Sequence, residues 1–273
     1  MPTDAAAYAA ASAAVRAFAA ALPDPLPGQC APLLDRLLGG SFSRIAALLP
    51  HWLCDLAPVP PATAQQLGVA QLCGWWFVSA QDDLLDGAAA PIDLLGAQLA
   101  LIHAIDLLRT LGLSEQPSWP AFAALAAESA AGYAAEALAP RNPATYTPEL
   151  VARRGALFLF AARAQCDLAG LRPDAPLRAD LLAALTQLSF ARQLTDDAAD
   201  WADDLRKGRL NLVSAALACD LPAAARTAER LAGRHLNAEP VWGELEQRHA
   251  AARAAALTRL RPYGPNRVSD LIA

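Results

Sequence analysis

Apolar residues in helical periodicity, interrupted by prolines, constrain the fold of this chain more than any other feature. The 21 prolines and 15 glycines fall mostly between the periodic segments, where they end helices. No strand-type alternation with hairpin turns is visible in the sequence. The pattern therefore predicts an all-α fold with a single helical domain over residues 1–273. We expect the two ends, residues 1–28 and 262–273, to be peripheral or flexible.

The proline clusters divide the chain into a series of predicted helices. These cover approximately residues 4–21, 30–38, 42–56, 62–86, 91–111, 119–138, 147–170, 177–205, 210–219, 221–235 and 239–260. Pro60 and Pro61, for example, precede Thr63, whose hydroxyl suits a helix N-cap.

The composition excludes several classes of protein. Hydrophobic residues make up 55% of the chain and charged residues 18%, which is too apolar for a disordered protein. The net charge is −5 without a block of Lys or Arg, so we expect no nucleic-acid surface. No run of about eighteen uninterrupted apolar residues occurs, so we expect no integral membrane span. Residues 1–20 lack a basic start and a cleavage signal and are interpreted as a helix, not a signal peptide.

The cysteines indicate the cellular compartment. They are dispersed through apolar helical segments, without the spacing of a zinc site, at Cys30, Cys54, Cys73, Cys166 and Cys219. Their number is odd, so we interpret them as buried free thiols of a protein in a reducing cytoplasm.

Two aspartate clusters stand out against this apolar background. The first contains Asp82, Asp83 and Asp86, which project to one side of a predicted helix within one turn. Gly87 follows as a stop signal, so these carboxylates are expected at a helix end, where a pocket can open. Carboxylates this close repel one another unless cations lie between them.

The second cluster lies on a later predicted helix. Asp196, Asp200 and Asp204 are four residues apart and form one stripe, with Asp197 and Asp203 beside it. Long apolar stretches precede both clusters, which favours acids lining a cavity. Two such helices facing each other would bind Mg²⁺ through hard oxygen ligands, with phosphate oxygens of a substrate completing the coordination. Either cluster alone is also typical of a solvated acidic turn.

The pair of clusters resembles the aspartate-rich motifs of class I isoprenoid synthases, the superfamily of trans-prenyltransferases and terpene synthases. Asp82–Asp86 is similar to the first motif of that superfamily. Gln193, Asp196–Asp197 and Asp200 are similar to the second motif of trans-prenyl diphosphate synthases. The resemblance extends from about residue 39 to residue 215 and implies a helical bundle around a central apolar cavity.

The same stretch also resembles two other branches of the superfamily. Gln193 to Thr195 with Gly208–Arg209 is similar to squalene and phytoene synthases. Asp196, Asp200 and Asp204 fall where terpene synthases carry their Asn, Ser/Thr and Glu metal ligands.

The resemblance implies Mg²⁺-assisted ionisation of a prenyl diphosphate. The implied metal ligands are Asp82, Asp83, Asp86, Asp196, Asp200 and Asp204. Arg153 is similar to the prenyltransferase lysine that contacts the allylic diphosphate, and it stands 43 residues before Asp196, about where terpene synthases carry a diphosphate-sensing arginine. We therefore expect catalysis by the first aspartate cluster with Arg153. The candidate diphosphate-binding residues are Arg153, Arg154, Lys207 and Arg209.

Aromatic side chains are expected to line the cavity, because their faces stabilise carbocations. Trp75 and Trp76 stand seven residues, or two turns, before Asp82 and Asp83, and Phe190 stands likewise before Asp197. The predicted pocket residues are Trp75, Trp76, Phe158, Phe190 and Gln193.

The missing cations decide between the branches. Chain-elongating prenyltransferases bind a second diphosphate near a Gly-Gly-Lys-x-x-Arg motif, but here Ser41 and Phe42 follow the glycines and only Arg44 remains. No basic residue follows Asp86 directly, as the family's arginine pair would. The sequence therefore favours a terpene synthase, a carbon–oxygen lyase that gives a cyclic or hydroxylated terpene. The segment Arg261–Arg267 resembles, loosely, the Arg-Tyr cap of such enzymes.

Two alternatives stay open at this point. One is a prenyltransferase, acting head to head like squalene and phytoene synthases or by chain elongation. The other is a catalytically silent helical subunit. Dimerisation is common in the superfamily, so a homodimer is a further expectation, although no residue pattern decides it.

Overall fold

The computed structural model describes residues 2–85, 87, 90–116, 118–138, 147–206, 211–213, 215 and 239–273. The helices are α1 (Asp4–Ala20), α2 (Leu26–Gly39), α3 (Ser41–Leu53), α4 (Pro61–Leu85), α5 (Pro91–Thr110), α6 (Ser118–Leu138), α7 (Pro148–Arg154), α8 (Phe160–Leu168), α9 (Pro176–Arg206), α10 (Glu239–Leu260) and α11 (Arg267–Ile272). Short 3₁₀ helices span Leu113–Glu115, Gly155–Leu159 and Arg261–Tyr263. No strand occurs in these residues, which confirms the all-α prediction.

One predicted helix is divided in the structure. Residues 147–170 form α7, a 3₁₀ helix and α8 instead of a single α-helix. The change begins at Gly155, where a Cβ atom would lie 2.5 Å from Ser189 Oγ of α9. Glycine is needed for this close approach. Of the predicted helix 210–219 only residues 211–213 and 215 are described, and the predicted helix 221–235 lies outside the described residues.

The chain divides into two compact units. Unit 1 comprises Met1–Ala123, Phe158–Ala179 and Pro265–Leu271. Its central helix is α4, which packs against α1, α3, α5 and α8. Gly68 lets α3 approach α4, since a Cβ atom there would lie 2.4 Å from the Ala47 carbonyl oxygen. The fully buried side chains of Leu67, Leu72 and Trp76 make α4 the core of this unit.

The cysteines of the described residues are free thiols. Cys30, Cys73 and Cys166 are fully buried, and Cys54 is half-buried. Burial raises the pKa of the Cys73 thiol to about 12. Cys219 lies outside the described residues.

Helix α5 is long and apolar enough to cross a membrane, judged by length and composition alone. In unit 1 it packs against α4 and α2, with Gly96 against the Cys30 thiol and the Trp76 ring. Leu95 and Ile102 on its other face are exposed.

Unit 2 comprises Ala124–Leu157, Asp180–Gly264 and Ile272–Ala273, and most of α9 belongs to it. At the first turns of α9, Asp180 accepts hydrogen bonds from Tyr263 Oη at 2.7 Å and from Arg259 Nη1 at 3.3 Å. These bonds hold the end of α10 and the following 3₁₀ turn against α9. The predicted boundaries of a single domain stay a prediction.

Candidate metal and diphosphate site

The first aspartate cluster lies on the last turn of α4. Asp82 and Asp83 are half-buried there, beyond the buried turns that carry Trp76 and Ala80. Gly87 follows in the left-handed conformation, with φ of 66°, as expected for a helix stop. Asp86, the third acid of the motif, lies outside the described residues.

An arginine from another helix contacts this cluster. Arg36 Nη2, in the last turn of α2, forms an ion pair with Asp83 Oδ2. Burial raises the pKa of Asp83, and the Arg36 charge opposes that rise. Arg36 could not be found from the sequence, because 47 residues separate it from Asp83 and no local spacing links them.

Among the acids of the second cluster whose side chains the structure describes, Asp197 is the most buried. Its side chain turns into unit 2, where Oδ2 accepts the Leu212 backbone N–H at 2.8 Å and Oδ1 accepts Gln193 Nε2 at 2.7 Å. Burial is the main reason why its pKa is raised to about 6, while both hydrogen bonds oppose the rise. Asp197 is therefore a packing residue that fixes the segment after α9.

Asn211 joins a second acid to this arrangement. Its Nδ2 donates to the Asp197 backbone oxygen and to Asp204 Oδ2, both at 3.0 Å. Asp204, expected to be a metal ligand, thus holds the buried Asn211 in the structure. No spacing rule in the sequence predicted Asn211 as a partner.

Asp196 and Asp200 are more accessible than Asp197. Asp200 is exposed, and the Asp196 side chain is 47% exposed with Oδ1 at 3.7 Å from Arg192 Nη2. Partial burial raises the pKa of Asp196, and Arg192 and Arg154 oppose that rise. Asp196 and Asp200 stand one helical turn apart and can share one cation.

Of the two adjacent arginines, Arg154 is the inward one. Its side chain is 11% exposed, with Nη1 at 2.7 Å from Glu136 Oε1 and the guanidinium carbon 4.8 Å from the centre of the Tyr133 ring. Gly132 makes room for it, since a Cβ atom there would lie 2.7 Å from the Arg154 backbone nitrogen. Arg153 is exposed on α7.

The structure places Arg154 beside α9. The next residue, Gly155, packs on Ser189, which stands two turns before Asp196 on α9. The Arg154 charge lowers the pKa of both Asp196 and Asp197. Lys207 and Arg209, the other predicted diphosphate-binding residues, lie outside the described residues.

The predicted pocket residues fall into two groups. In unit 1, the Phe42 ring lies 4.2 Å from Trp75 and 5.2 Å from Phe158, centre to centre. Trp76 is fully buried between helices of the same unit. In unit 2, Phe190 and Gln193 are half-buried on α9, and Gln193 is bonded to Asp197. Their roles as cavity walls stay predictions.

Tyr263, in the predicted cap segment, bonds to a different part of α9 from the second cluster. Its partner Asp180 precedes Asp196 by 16 residues on the continuous helix α9. That separation corresponds to about 24 Å along the helix axis. In this structure Tyr263 therefore contacts Asp180 and not Asp196 or Asp200.

The acids present fit a metal that shares its ligands with a substrate. Within the described residues, no three His, Cys, Asp or Glu side chains group closely enough to enclose a metal ion. Each cluster offers neighbouring carboxylate oxygens, Asp82 with Asp83 and Asp196 with Asp200. Mg²⁺ binds proteins in this way, through a few carboxylates with water and phosphate oxygens in the other positions.

Three solved structures with a similar fold are named as prenyl synthases. A candidate geranylgeranyl pyrophosphate synthase from Corynebacterium glutamicum has a TM-score of 0.71 at 18% identity, covering 97% of this chain and 95% of that one. A geranylgeranyl pyrophosphate synthetase from the archaeon Geoglobus acetivorans has a TM-score of 0.73 at 14% identity, covering 99% and 97%. A polyprenyl synthase from Roseobacter denitrificans has a TM-score of 0.75 at 20% identity, covering 98% and 92%. The chain has the class I isoprenoid synthase fold. No protein-family model and no curated protein matches it significantly.

This similarity confirms the predicted isoprenoid synthase fold and corrects the predicted branch. The prediction of a terpene synthase, and with it the lyase class, is wrong, because these three similar structures are named as prenyl synthases, which are transferases. The error has a physical origin. The motifs alone do not reveal a cation that another helix supplies, and α2 brings Arg36 to Asp83.

Proposed function

We propose that the protein is a prenyltransferase that joins an allylic prenyl diphosphate to isopentenyl diphosphate. The products would be a longer prenyl diphosphate and free diphosphate. The observation that carries this proposal is the likeness to three prenyl synthases over at least 97% of the chain. The two aspartate clusters support it, since they supply the acids that such a reaction requires.

Asp82 and Asp83 on α4, with Asp196 and Asp200 on α9, are the proposed ligands of Mg²⁺. Bound there with the substrate, Mg²⁺ would neutralise the diphosphate charge that develops as the carbon–oxygen bond breaks. Asp86 belongs to the same motif and is proposed with them. Asp204 is a weaker candidate, because Asn211 already uses one of its oxygens.

Arg154 has the geometry of a fixed cation at the second cluster. Glu136 and Tyr133 orient its guanidinium, so little side-chain freedom is lost when it acts on a neighbouring anion. Burial raises the pKa of Asp196, and the charges of Arg192 and Arg154 favour its ionised form against that effect. Arg153, Lys207 and Arg209 complete the proposed set of diphosphate-binding residues.

Two arginines could contribute positive charge for a second diphosphate near Gly39 and Gly40. Arg44 is exposed on α3, and Arg36 is exposed on the last turn of α2. Gly39 and Gly40 lie between these two residues at the junction of the helices. Two arginines therefore flank the position where the family's lysine is replaced by Ser41.

A prenyl diphosphate substrate, a cytoplasmic location and a homodimer remain parts of this proposal. The free, buried cysteines support the reducing compartment. The net charge of −5 gives no support to a nucleic-acid partner.

The test is an incubation of the protein with Mg²⁺, isopentenyl diphosphate and, separately, dimethylallyl, geranyl or farnesyl diphosphate. Chromatography of the dephosphorylated products should reveal prenyl alcohols longer than the allylic substrate. A parallel incubation without isopentenyl diphosphate should give no longer product. Terpene formation in that parallel reaction, without elongation, would overturn the proposal. Failure to release diphosphate from any substrate would indicate a silent helical subunit.

A matched pair of variants on α9 links that activity to the site. Asp200→Asn alters a proposed metal ligand, whereas Asp180→Asn alters an acid about 30 Å away on the same helix. Elongation should be lost in the first variant and kept in the second.

A further inference from the structure

Arg36 is a cation that contacts the first aspartate cluster directly, through Asp83. The contact joins a single guanidinium nitrogen, Nη2, to a single carboxylate oxygen, Oδ2 of Asp83. A pairing of the whole guanidinium fork with both carboxylate oxygens would be stronger and more specific. The Arg36 side chain is 60% exposed and that of Asp83 is 21% exposed, so water also competes for the pair.

The pair is not needed to dock α2 in unit 1. The helix is anchored by its apolar face, which buries Cys30, Leu33, Leu34, Leu37 and Leu38. An exposed ion pair adds little to burial of this extent. Arg36 is thus free to change partners without displacing its helix.

Asp83 has two uses for the same carboxylate. As a proposed metal ligand it must offer its oxygens to Mg²⁺, but Arg36 already holds Oδ2. Mg²⁺ at this carboxylate would weaken its hold on the guanidinium, because two cations at one carboxylate repel each other and share its charge. A diphosphate that arrives with the metal brings new anionic oxygens, which suit the planar donor fork of arginine.

We propose that Arg36 pairs with Asp83 only until metal and diphosphate bind, and then transfers its guanidinium to the diphosphate oxygens. Arg36 would then neutralise Asp83 before the ligands bind and contact the diphosphate after they have bound. The inference rests on the proposed function for its ligand, but its test requires no turnover.

The test is calorimetric titration of the full chain, freed of metal with a chelator, in the wild type and in Arg36→Gln. Titrated with Mg²⁺ alone, the variant should bind several-fold more tightly, because the competing cation is gone. Titrated with inorganic diphosphate at saturating Mg²⁺, it should bind about tenfold more weakly, because a charge-assisted hydrogen bond is lost. Opposite signs in the two titrations are the expected signature.

Arg16 provides a matched control. It forms an exposed ion pair with Asp35, the residue next to Arg36, and the two side chains are 51% and 60% exposed. Arg16→Gln should leave both titrations unchanged. Unchanged titrations in Arg36→Gln, or shifts of the same sign in both, would overturn the exchange.

Arg36→Lys keeps the charge and covers the case in which the glutamine variant folds poorly. It should bind Mg²⁺ as the wild type does, because its cation still competes with Mg²⁺ for Asp83. Tighter Mg²⁺ binding by this variant would refute that competition. Isopentenyl diphosphate and a non-ionising thiodiphosphate analogue of the allylic substrate, titrated separately, identify which diphosphate receives Arg36. Full affinity of Arg36→Gln for both would count against the inference.

The outcomes separate the inference from the proposed function. If the wild type elongates its substrate but Arg36→Gln titrates like Arg16→Gln, the proposed function stands and the exchange of Arg36 is refuted. If the two titrations shift in opposite directions but no longer product forms, the exchange stands and the proposed function is refuted.

Discussion

Asp83 in the first aspartate cluster is paired with an exposed arginine, whereas Asp197 in the second cluster is buried and bonded through both oxygens. The cations differ in the same way, since Arg36 is 60% exposed and Arg154 is 11% exposed. Buried, bonded groups keep their geometry, while exposed ion pairs exchange partners readily. The Arg36–Asp83 pair can therefore adapt to a ligand, whereas the surroundings of Asp197 and Arg154 hold their shape.

The largest effect should come from removing one proposed metal ligand in each cluster. Asp82→Ala and Asp200→Ala should each lower turnover by about a hundredfold or more, because charge stabilisation in the transition state is lost. Steady-state kinetics of diphosphate release measure this, with circular dichroism to confirm retained helix. If only one of the two variants is impaired, the clusters do not serve one reaction.

The next largest effect concerns the pH dependence of stability at Asp197. Its pKa is raised from 3.8 to about 6 in the folded chain, so the folded state binds more protons than the unfolded state between these values. Stability should therefore fall as the pH rises from about 4 to about 6. A difference of about two pKa units corresponds to about 3 kcal/mol.

Denaturant unfolding without metal, across this pH range, measures the effect, and Asp197→Asn should reduce the slope. His51 and His103 have lowered pKa values and give a slope of opposite sign, but they are common to both proteins. Asp83→Asn, at a carboxyl that is less buried than that of Asp197, should change the slope less than Asp197→Asn. If both variants change the pH slope of the unfolding free energy equally, Asp83 and Asp197 do not differ in burial as described.

Breaking the inner ion pair of the second cluster should cost more stability than breaking the outer pair of the first. Arg154→Gln leaves Glu136 without its cation in a mostly buried place, at a cost of about 2 kcal/mol in the free energy of unfolding. A double-mutant cycle with Glu136→Gln isolates the pair energy. A coupling energy near zero would mean that Arg154 is held by packing on Tyr133 alone.

The smallest effect belongs to the first cluster. Arg36→Gln should change the free energy of unfolding by less than about 1 kcal/mol, because its ion pair is largely exposed to water. Urea titration of this variant beside Arg154→Gln makes the comparison direct. A larger loss in Arg36→Gln would show that this arginine has a structural role.

Much of the local structure follows from the sequence. The predicted helices 62–86, 91–111 and 119–138 agree with α4, α5 and α6 to within one residue at each end. The prolines and glycines at these ends act through backbone geometry, which is local. The two aspartate motifs are local as well, and with them the sequence predicted the isoprenoid synthase fold.

Contacts between distant residues could not be predicted in the same way. The helical period placed Asp197 beside the stripe of acids, but its burial depends on Leu212 beyond the end of α9. Arg36 reaches Asp83 because α2 and α4 pack together. The count of cations along the chain therefore favoured the wrong branch of the superfamily, since charges act through space.

The buried thiols have a practical consequence for labelling this protein. Cys30, Cys73 and Cys166 are enclosed by packed helices, and burial raises the pKa of Cys166 to about 11 and that of Cys73 to about 12. Thiol reagents attack the thiolate, so these sites should resist maleimides. Among the described cysteines, Cys54 alone is partly accessible, at the end of α3. A dye at Cys54, with Cys219 replaced, offers a spectroscopic probe in unit 1.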